Sequence, residues 1–275
     1  MVKEIISWSL QKNNSINMKV VIFAGGLGTR ISEESHLKPK PMIEIGGKPI
    51  LWHIMKIYEA HGFTDFIICL GYKGYVIKEY FMNYYMHNAD VTIDLKNNKT
   101  TIHQSTAESF NITLVETGLN TKTAGRLKRV KEHIGNERFM LTYGDGLCDI
   151  NLNELLKFHQ SHGKIATVTS ILPEGKFGAI MTDENNVVNH FMEKPKGDGH
   201  WINGGFFILE PGIFNYLQNN MDEVMWEESP LHGLTQDRQL VSYKYHGFWK
   251  CMDALRDKTE LEQMWDSGNA KWKVW

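Results

Sequence analysis

An apolar strand that ends abruptly in glycines constrains the fold of this chain more than any other feature. Residues 18–24 (MKVVIFA) form a β-rich run of the length expected for a strand buried in a parallel sheet. Gly25, Gly26 and Gly28 follow at once, and glycine lets the backbone turn tightly and approach a ligand closely. Because successive main-chain N–H groups in such a turn attract anions, this junction predicts a phosphate-binding site.

Cationic side chains follow the glycine turn. Arg30 comes two residues after Gly28, and Lys40 lies in a Lys-Pro-Lys-Pro run at 38–41, where proline stiffens the backbone. This pattern predicts a triphosphate site, although a tight turn beside a solvated basic loop would look the same. Two better-known phosphate motifs do not fit. Ile31 replaces the third glycine of the dinucleotide fingerprint, and no Lys-Ser or Lys-Thr follows the glycines as a P-loop requires.

The order of the predicted elements indicates an α/β fold. Apolar residues recur at helical spacing over 50–58, a buried strand is predicted over 66–70, and a second helix over 75–86. Alternating strands and helices are typical of a parallel sheet wound with crossover connections. Ligands in such sheets bind beyond the carboxyl ends of the strands, which is where the glycine turn lies.

Two segments depart from this alternation. Residues 91–117 contain three short β-rich runs, with Asn97-Asn98 as a predicted hairpin turn, so we expect a β-rich insertion near 90–117. The C-terminus is predicted to be helical, and its tryptophans suggest a subunit contact if they are exposed. We expect residues 1–17 to form an N-terminal extension and residues 18–275 to form a single domain.

Composition excludes several classes of partner. The net charge of −2 gives no reason to expect nucleic acid as a partner, so anion binding must depend on a local cluster. The three cysteines, Cys69, Cys148 and Cys251, are widely separated and form no C-x-x-C pair. This argues against a zinc site or a disulfide framework and fits a reducing cytoplasm. No apolar run approaches the roughly 18 residues of a membrane-spanning helix, so no membrane partner is expected.

Two aspartates are candidate metal ligands. Asp145 stands between Gly144 and Gly146 after a predicted buried strand over 139–143. Mg²⁺ is usually held by one or two carboxylates and phosphate oxygens, but an aspartate between glycines also forms ordinary turns. Asp253 directly precedes the last predicted helix, where it could instead act as the N-cap.

Ordered motifs along the chain resemble those of sugar-1-phosphate nucleotidyltransferases. The first three are AGGLGTR at 24–30, KPKP at 38–41 and GGKPI at 46–50. The others are WHIMK at 52–56, GYKGY at 71–75, GRLKR at 125–129, YGDG at 143–146, EKPKGDG at 193–199 and FWKCMD at 248–253. The resemblance runs from about residue 18 to the C-terminus. It implies a three-layer, Rossmann-like mixed but mostly parallel sheet flanked by helices, with small β insertions.

The later motifs match most closely the branch of that family that uses CTP and glucose 1-phosphate. The resemblance therefore implies a Mg²⁺-dependent, in-line transfer of a cytidylyl group that gives CDP-glucose and pyrophosphate. It also implies a homo-oligomer. Nothing in the glycine turn itself selects cytosine, so a UTP- or dTTP-dependent enzyme stays an alternative. So does a nucleotide-sugar-sensing module without catalysis. An NAD-dependent oxidoreductase is disfavoured because the third fingerprint glycine is missing.

The resemblance also implies roles for individual residues. Arg30, Lys40 and Asp145 would carry catalysis, and Asp145 and Asp253 would hold Mg²⁺. The sugar phosphate would be bound by Tyr143, Glu193, Lys194 and Asn203. The nucleotide would be bound by Ala24, Gly25, Gly26, Leu27, Gly28, Thr29, Arg30, Lys40, Thr121, Arg126 and Gly144.

Overall fold

The computed structural model describes residues 18–28, 31, 38–173, 179–192, 200–218 and 220–275. The strands are β1 (Lys19–Phe23), β2 (Glu44–Ile45), β3 (Lys48–Pro49), β4 (Asp65–Leu70), β5 (Ala89–Asp94), β6 (Lys99–Ser105), β7 (Asn111–Glu116), β8 (Phe139–Tyr143), β9 (Gly146–Cys148), β10 (Ala166–Ile171), β11 (Ala179–Thr182), β12 (Val188–Met192), β13 (Ile202–Leu209), β14 (Leu240–Tyr245) and β15 (Trp249–Cys251). The α-helices are α1 (Ile50–Glu59), α2 (Gly74–His87), α3 (Thr123–Arg129), α4 (Lys131–Ile134), α5 (Leu152–His162), α6 (Ser229–Gln236) and α7 (Leu255–Asp266), and 3₁₀ helices span Lys40–Met42 and Pro211–Tyr216.

A seven-stranded mixed sheet lies at the centre, in the order β14-β10-β13-β8-β1-β4-β7. β1 pairs in parallel with both β4 and β8, so that Val20 lies opposite Phe66 on one side and Met140 on the other. β13 is the antiparallel strand, between β8 and β10. The predicted mixed, mostly parallel sheet is therefore confirmed.

Side chains of β1 alternate between two hydrophobic cores, one on each face of the sheet. Val20 and Ile22 pack into the core formed with α1 and α5. Val21 and Phe23 pack into the core formed with α3 and the 3₁₀ helix Pro211–Tyr216. This two-residue period is the geometry of a strand covered on both faces. Helices on both sides of the sheet give the three layers expected from the sequence.

The parallel strands bring three loops together at their carboxyl ends. The amide of Ala24 donates to the carbonyl of Cys69 at 3.1 Å, and the amide of Gly144 donates to the carbonyl of Phe23 at 2.9 Å. The glycine loop after β1 is therefore held between the loops that follow β4 and β8. This edge of the sheet is where a ligand of such a fold binds.

The β-rich segment predicted near 90–117 divides into two parts. β5 and β6 form a separate hairpin whose turn includes Asn98 at φ +49°. β7 is instead the edge strand of the central sheet and pairs in parallel with β4, with Asn111 opposite Asp65. The predicted insertion is therefore too long, because short apolar runs look alike whether they join a hairpin or a sheet edge.

The C-terminal tryptophans are not an exposed patch, which corrects the expectation of a subunit contact there. Trp272 is fully buried and lies edge-on to His53 of α1 at 6.1 Å between ring centroids. Trp265 stacks on Trp272, and Trp275 lies edge-on to Trp52. The tail after α7 thus closes the core against α1 of its own chain.

Two helical segments on the sheet are irregular. The first is interrupted at Val130 between α3 and α4. The second, Pro211–Tyr216, is a 3₁₀ helix. Among the helices in the described ranges, none combines the length and apolar character needed to cross a bilayer.

Candidate active site

Arg126 of α3 supports the glycine loop through hydrogen bonds from its guanidinium. Its guanidinium donates to the carbonyls of Leu70 at 2.8 Å, Gly118 at 2.9 Å and Gly25 at 2.9 Å, and to the hydroxyl of Thr117 at 2.7 Å. The side chain is buried, and burial lowers the pKa of Arg126 from its usual value. Because these bonds join the loops after β1, β4 and β7, Arg126 fixes their relative positions.

Two glycines make room for this guanidinium. A Cβ atom on Gly25 would lie 2.2 Å from Nη1 of Arg126, and one on Gly71 would lie 2.5 Å from the same atom. Gly26 has open space around it, and Gly28 has φ +67°, a conformation that glycine adopts readily. Gly25 therefore permits contact with Arg126. The predicted contact of Arg126 with a triphosphate stays a prediction, and would require exchange of some carbonyl partners.

Lys40, Asp145 and Asp253 meet at the end of the glycine loop. The ammonium of Lys40 donates to Asp145 Oδ2 at 2.6 Å and to Asp253 Oδ1 at 2.7 Å. The two aspartates are brought together by antiparallel pairing of β9 with β15, in which Gly146 lies opposite Cys251. A hydrogen bond of 2.9 Å from the amide of Met252 to the carbonyl of Asp145 extends this pairing.

The charges in this group stabilise one another. Burial alone would lower the pKa of Lys40, but the carboxylates of Asp145 and Asp253 outweigh that effect and raise it above 10.5. Lys40 therefore stays protonated between the two acids. Its side chain is 12% exposed, so the attraction is screened little by water.

The N-cap role considered for Asp253 is not the one observed. The amides of Asp253 and Ala254 donate to the carboxylate of Asp257, at 3.0 and 2.9 Å, so Asp257 caps the start of α7. The carboxylate of Asp253 instead accepts from Lys40. Nearby Asp149 accepts from the hydroxyl of Tyr245 and the amide of Phe248, on the far side of the turn.

The residues present fit a divalent cation that prefers oxygen. Ligand atoms of Asp145, Asp253 and Cys251 all lie within 4.8 Å of one another. Burial raises the pKa of the Cys251 thiol, and the carboxylate of Asp145 raises it further. The anionic donors of this group are thus the two carboxylates, and carboxylate oxygens are the ligands that Mg²⁺ prefers.

A cleft of about 340 Å³ opens above the glycine loop. Its lining combines residues of the glycine loop with residues from distant parts of the chain, among them Ala24, Gly26, Gly28, Lys40, Thr123, Tyr143, Gly144, Met225 and Glu227. A smaller pocket of about 40 Å³ lies beside it and is lined by residues that include Tyr143, Asp145, Asn203 and Trp249. The arrangement provides one large and one small compartment that share Tyr143 and Asp145.

Tyr143 links the two compartments. Its hydroxyl donates to Glu227 and accepts from Asn203 Nδ2 at 3.2 Å. Burial raises the pKa of Tyr143, and the carboxylate of Glu227 raises it further. Asn203 Oδ1 accepts from the amide of Gly205 at 2.8 Å, which fixes the orientation of the Asn203 side chain.

The structure brings together most, but not all, of the predicted residues. Lys40, Gly144 and Asp145 line the large cleft, and Tyr143 and Asn203 line the small pocket. Thr121 is instead buried against Gly118 and Gly125, outside the lining of either compartment. The predictions for Thr29, Arg30, Glu193 and Lys194 fall outside the described residues.

The lining residues that the sequence predictions did not name include Thr123, Met225, Glu227 and Trp249. Trp249 stands inside the FWKCMD motif, so that motif could have indicated it. Glu227 gave no usable signal because its acidic surroundings, DEVMWEE at 222–228, resemble a solvated surface segment.

Fold and site together define a nucleotidyltransferase. The chain belongs to the nucleotidyl transferase family, whose sequence model matches residues 19–250. It is 53% identical to the glucose-1-phosphate cytidylyltransferase of Salmonella typhi over 259 residues, which cover 94% of this chain and 100% of that protein. Among solved structures, HddC from Yersinia pseudotuberculosis is 22% identical with a TM-score of 0.64, over 90% of this chain and 99% of that one. A UDP-glucose pyrophosphorylase complexed with UDP-glucose is 18% identical, also with a TM-score of 0.64, over 91% and 99% of the two chains.

Proposed function

We propose that this chain transfers the cytidylyl group of CTP to α-D-glucose 1-phosphate, with formation of CDP-glucose and release of pyrophosphate. The observation that carries the proposal is the meeting of Lys40, Asp145 and Asp253 beside the glycine loop. CTP and glucose 1-phosphate are both anions and react only if their mutual repulsion is offset. The ammonium of Lys40 can offset it directly, and the two carboxylates can do so by holding a metal cation. The choice of CTP and glucose 1-phosphate is supported by the name of the Salmonella typhi relative.

The chemistry requires positioning more than proton transfer. An oxygen of the sugar phosphate attacks the α-phosphorus of CTP, and a new O–P bond forms. The bond from that phosphorus to the bridging oxygen breaks, and pyrophosphate leaves with the electron pair. Since the nucleophile is already an anion, no general base is needed. In this proposal the amides of residues 25–29, together with Arg30 and Lys40, hold the triphosphate in line for attack.

Mg²⁺ is the cation that we propose for Asp145 and Asp253. Their carboxylates lie close together, and the family resemblance assigns both to the metal. When bound, the ion would act as a Lewis acid that offsets charge on the phosphate oxygens. Lys40, which spans both carboxylates, keeps the two acids from repelling each other and adds a fixed positive charge at the same edge of the cleft.

We propose that the sugar phosphate binds at the small pocket, beside Tyr143 and Asn203. Asn203 retains one amide hydrogen for a sugar hydroxyl, because its oxygen and its other hydrogen are already bonded. Glu193 would accept from sugar hydroxyls, and Lys194 would neutralise the phosphate. These last two roles come from the resemblance of the EKPKGDG motif alone.

A substrate matrix tests the proposal. Pyrophosphate release is measured with each of the four nucleoside triphosphates against glucose 1-phosphate and other sugar 1-phosphates. We expect turnover with CTP and glucose 1-phosphate. Faster turnover with UTP or dTTP would replace the proposed base, whereas tight CTP binding without pyrophosphate release would favour a sensing module.

We also propose that residues 18–275 act as one catalytic domain behind an N-terminal extension, and that the chain self-associates. Large apolar side chains are exposed on α2 and on the β5–β6 hairpin, among them Met82, Ile93 and Leu95. Contiguous exposed apolar surface is typical of protein interfaces. Sedimentation velocity tests this; a single species at the 31.7 kDa of one chain would contradict it.

A further inference from the structure

We propose that Glu227 recognises the hydroxyl groups of a sugar ring, either the ribose of the nucleotide or the glucose of the sugar phosphate. This inference rests on the proposed function and adds a residue that sets substrate specificity at the same site. It follows from how Glu227 is held, from what its carboxylate contacts and from the charge of the surfaces it faces.

Glu227 is presented by a backbone that is fixed to α3. The amide of Lys122 donates to the carbonyl of Asp222 at 2.7 Å, and the amide of Ala124 donates to that of Val224 at 3.1 Å. Next to Glu227, Trp226 is fully buried, and its amide donates to the hydroxyl of Thr123 at 2.7 Å. A side chain carried by such a segment occupies a defined position before any ligand arrives, as a specificity residue must.

The carboxylate of Glu227 is held by hydroxyl groups and keeps acceptor capacity. Oε1 accepts from the hydroxyl of Tyr143, and Oε2 lies 3.4 Å from the hydroxyl of Thr123. A carboxylate has about four lone-pair sites, so about two are left for a ligand. Within the described ranges no lysine or arginine forms an ion pair with Glu227, and the side chain lines the large cleft.

The charges of the cleft indicate which part of a ligand Glu227 meets. Lys40 lines the same cleft, and phosphate groups are attracted to its ammonium and repelled by a carboxylate. Glu227 must therefore face an uncharged part of the ligand that donates hydrogen bonds. Asn203 and Glu227 are both hydrogen-bonded to the hydroxyl of Tyr143, so the amide of Asn203 provides a donor near the carboxylate acceptor. A hydroxyl group both donates and accepts, so this pair suits the hydroxyls of a sugar ring.

Equilibrium binding of substrate analogues tests the inference without turnover. Glu227→Gln keeps the size of the side chain and removes its charge. Isothermal titration calorimetry compares CTP with 2′-deoxy- and 3′-deoxy-CTP. It also compares glucose 1-phosphate with analogues that each lack one ring hydroxyl, in the presence of the α,β-methylene analogue of CTP, which cannot release pyrophosphate.

The wild-type protein should bind the analogue that lacks the recognised hydroxyl about 10- to 100-fold more weakly than its parent, as expected for a hydrogen bond to a charged group. In the Glu227→Gln protein the two should bind within about threefold of each other. Loss of discrimination in the nucleotide series assigns Glu227 to ribose, and loss in the sugar series assigns it to glucose.

Glu223→Gln is the matched control, because Glu223 is an exposed glutamate of the same segment. It should leave both series unchanged. If Glu227→Gln preserves discrimination in both series, or weakens parents and analogues equally, the inference is overturned. Since binding is read directly, failure of the proposed reaction would show separately, as binding of both substrates by the wild type without pyrophosphate release.

Discussion

Replacing Arg126 by methionine separates two roles that this arginine could have, as a support of the glycine loop or as a ligand of the triphosphate. Methionine has a similar reach but no hydrogen-bond donors. The change removes four bonds of 2.9 Å or less, to Gly25, Leu70, Thr117 and Gly118. It leaves the geometry of the helix backbone unchanged, since methionine is a good helix former.

The expected loss of stability follows from which acceptors keep another partner. The carbonyl of Gly25 still accepts from the amide of Tyr72, and that of Leu70 still accepts from Thr117. Hydrogen bonds from charged groups contribute about 1.5–3 kcal/mol each but are not additive within one network. With two carbonyls still satisfied, we expect the free energy of unfolding to fall by about 3–5 kcal/mol.

Urea unfolding of the wild-type and Arg126→Met proteins measures this loss, and calorimetric titration with CTP measures the accompanying loss of affinity. Arg126→Lys should be intermediate, because an ammonium reaches fewer of the acceptors at once. A support role predicts that stability and affinity fall together. If Arg126→Met is as stable as the wild type and has lost only CTP binding, the reasoning is refuted and Arg126 acts as a direct ligand.

Three further outcomes are expected. Asp145→Asn should fold normally and lose several powers of ten in kcat at saturating Mg²⁺; an unchanged kcat would remove Asp145 from the proposed metal site. Lys194→Ala should raise the KM for glucose 1-phosphate far more than the KM for CTP, and equal increases would indicate general damage. His53 is buried, bonded to the carbonyl of Ile45 at 2.8 Å, and burial lowers its pKa to about 4. His53 in the unfolded chain therefore binds a proton below about pH 6.5, whereas in the folded chain it does so only below about pH 4. The free energy of unfolding should therefore fall by about 3 kcal/mol as the pH is lowered from 6.5 to 4. Urea midpoints across that range check this, and His53→Gln should reduce the slope.

Much of the fold and the centre of the site follow from local sequence patterns. Strands such as β1 and β4 are continuous apolar runs, and their order with helices α1 and α2 predicts the parallel sheet. Lys40, Asp145 and Asp253 stand in motifs whose residue types suit phosphate and metal chemistry. In the structure both aspartates lie within hydrogen-bond distance of the Lys40 ammonium.

What the sequence could not show depends on contacts between distant segments. Arg126 reads equally well as a cation for phosphate, and only the carbonyls gathered around it reveal its support of the loop. From its sequence context Glu227 resembles a surface acid, and only the structure shows that it accepts a hydrogen bond from Tyr143 of β8. Similarly, β7 has the pattern of a hairpin strand, and pairing with β4 makes it a sheet edge.

The pairing of β9 with β15 also bears on how the protein becomes active during synthesis. Six of the seven central strands are complete by residue 209, and the first aspartate of the site is then in place. The second aspartate, Asp253, is synthesised later, two residues after the short strand β15 that pairs with β9. A ribosome that stops between residues 246 and 252 would thus release a chain with all seven central strands and half of its acidic pair.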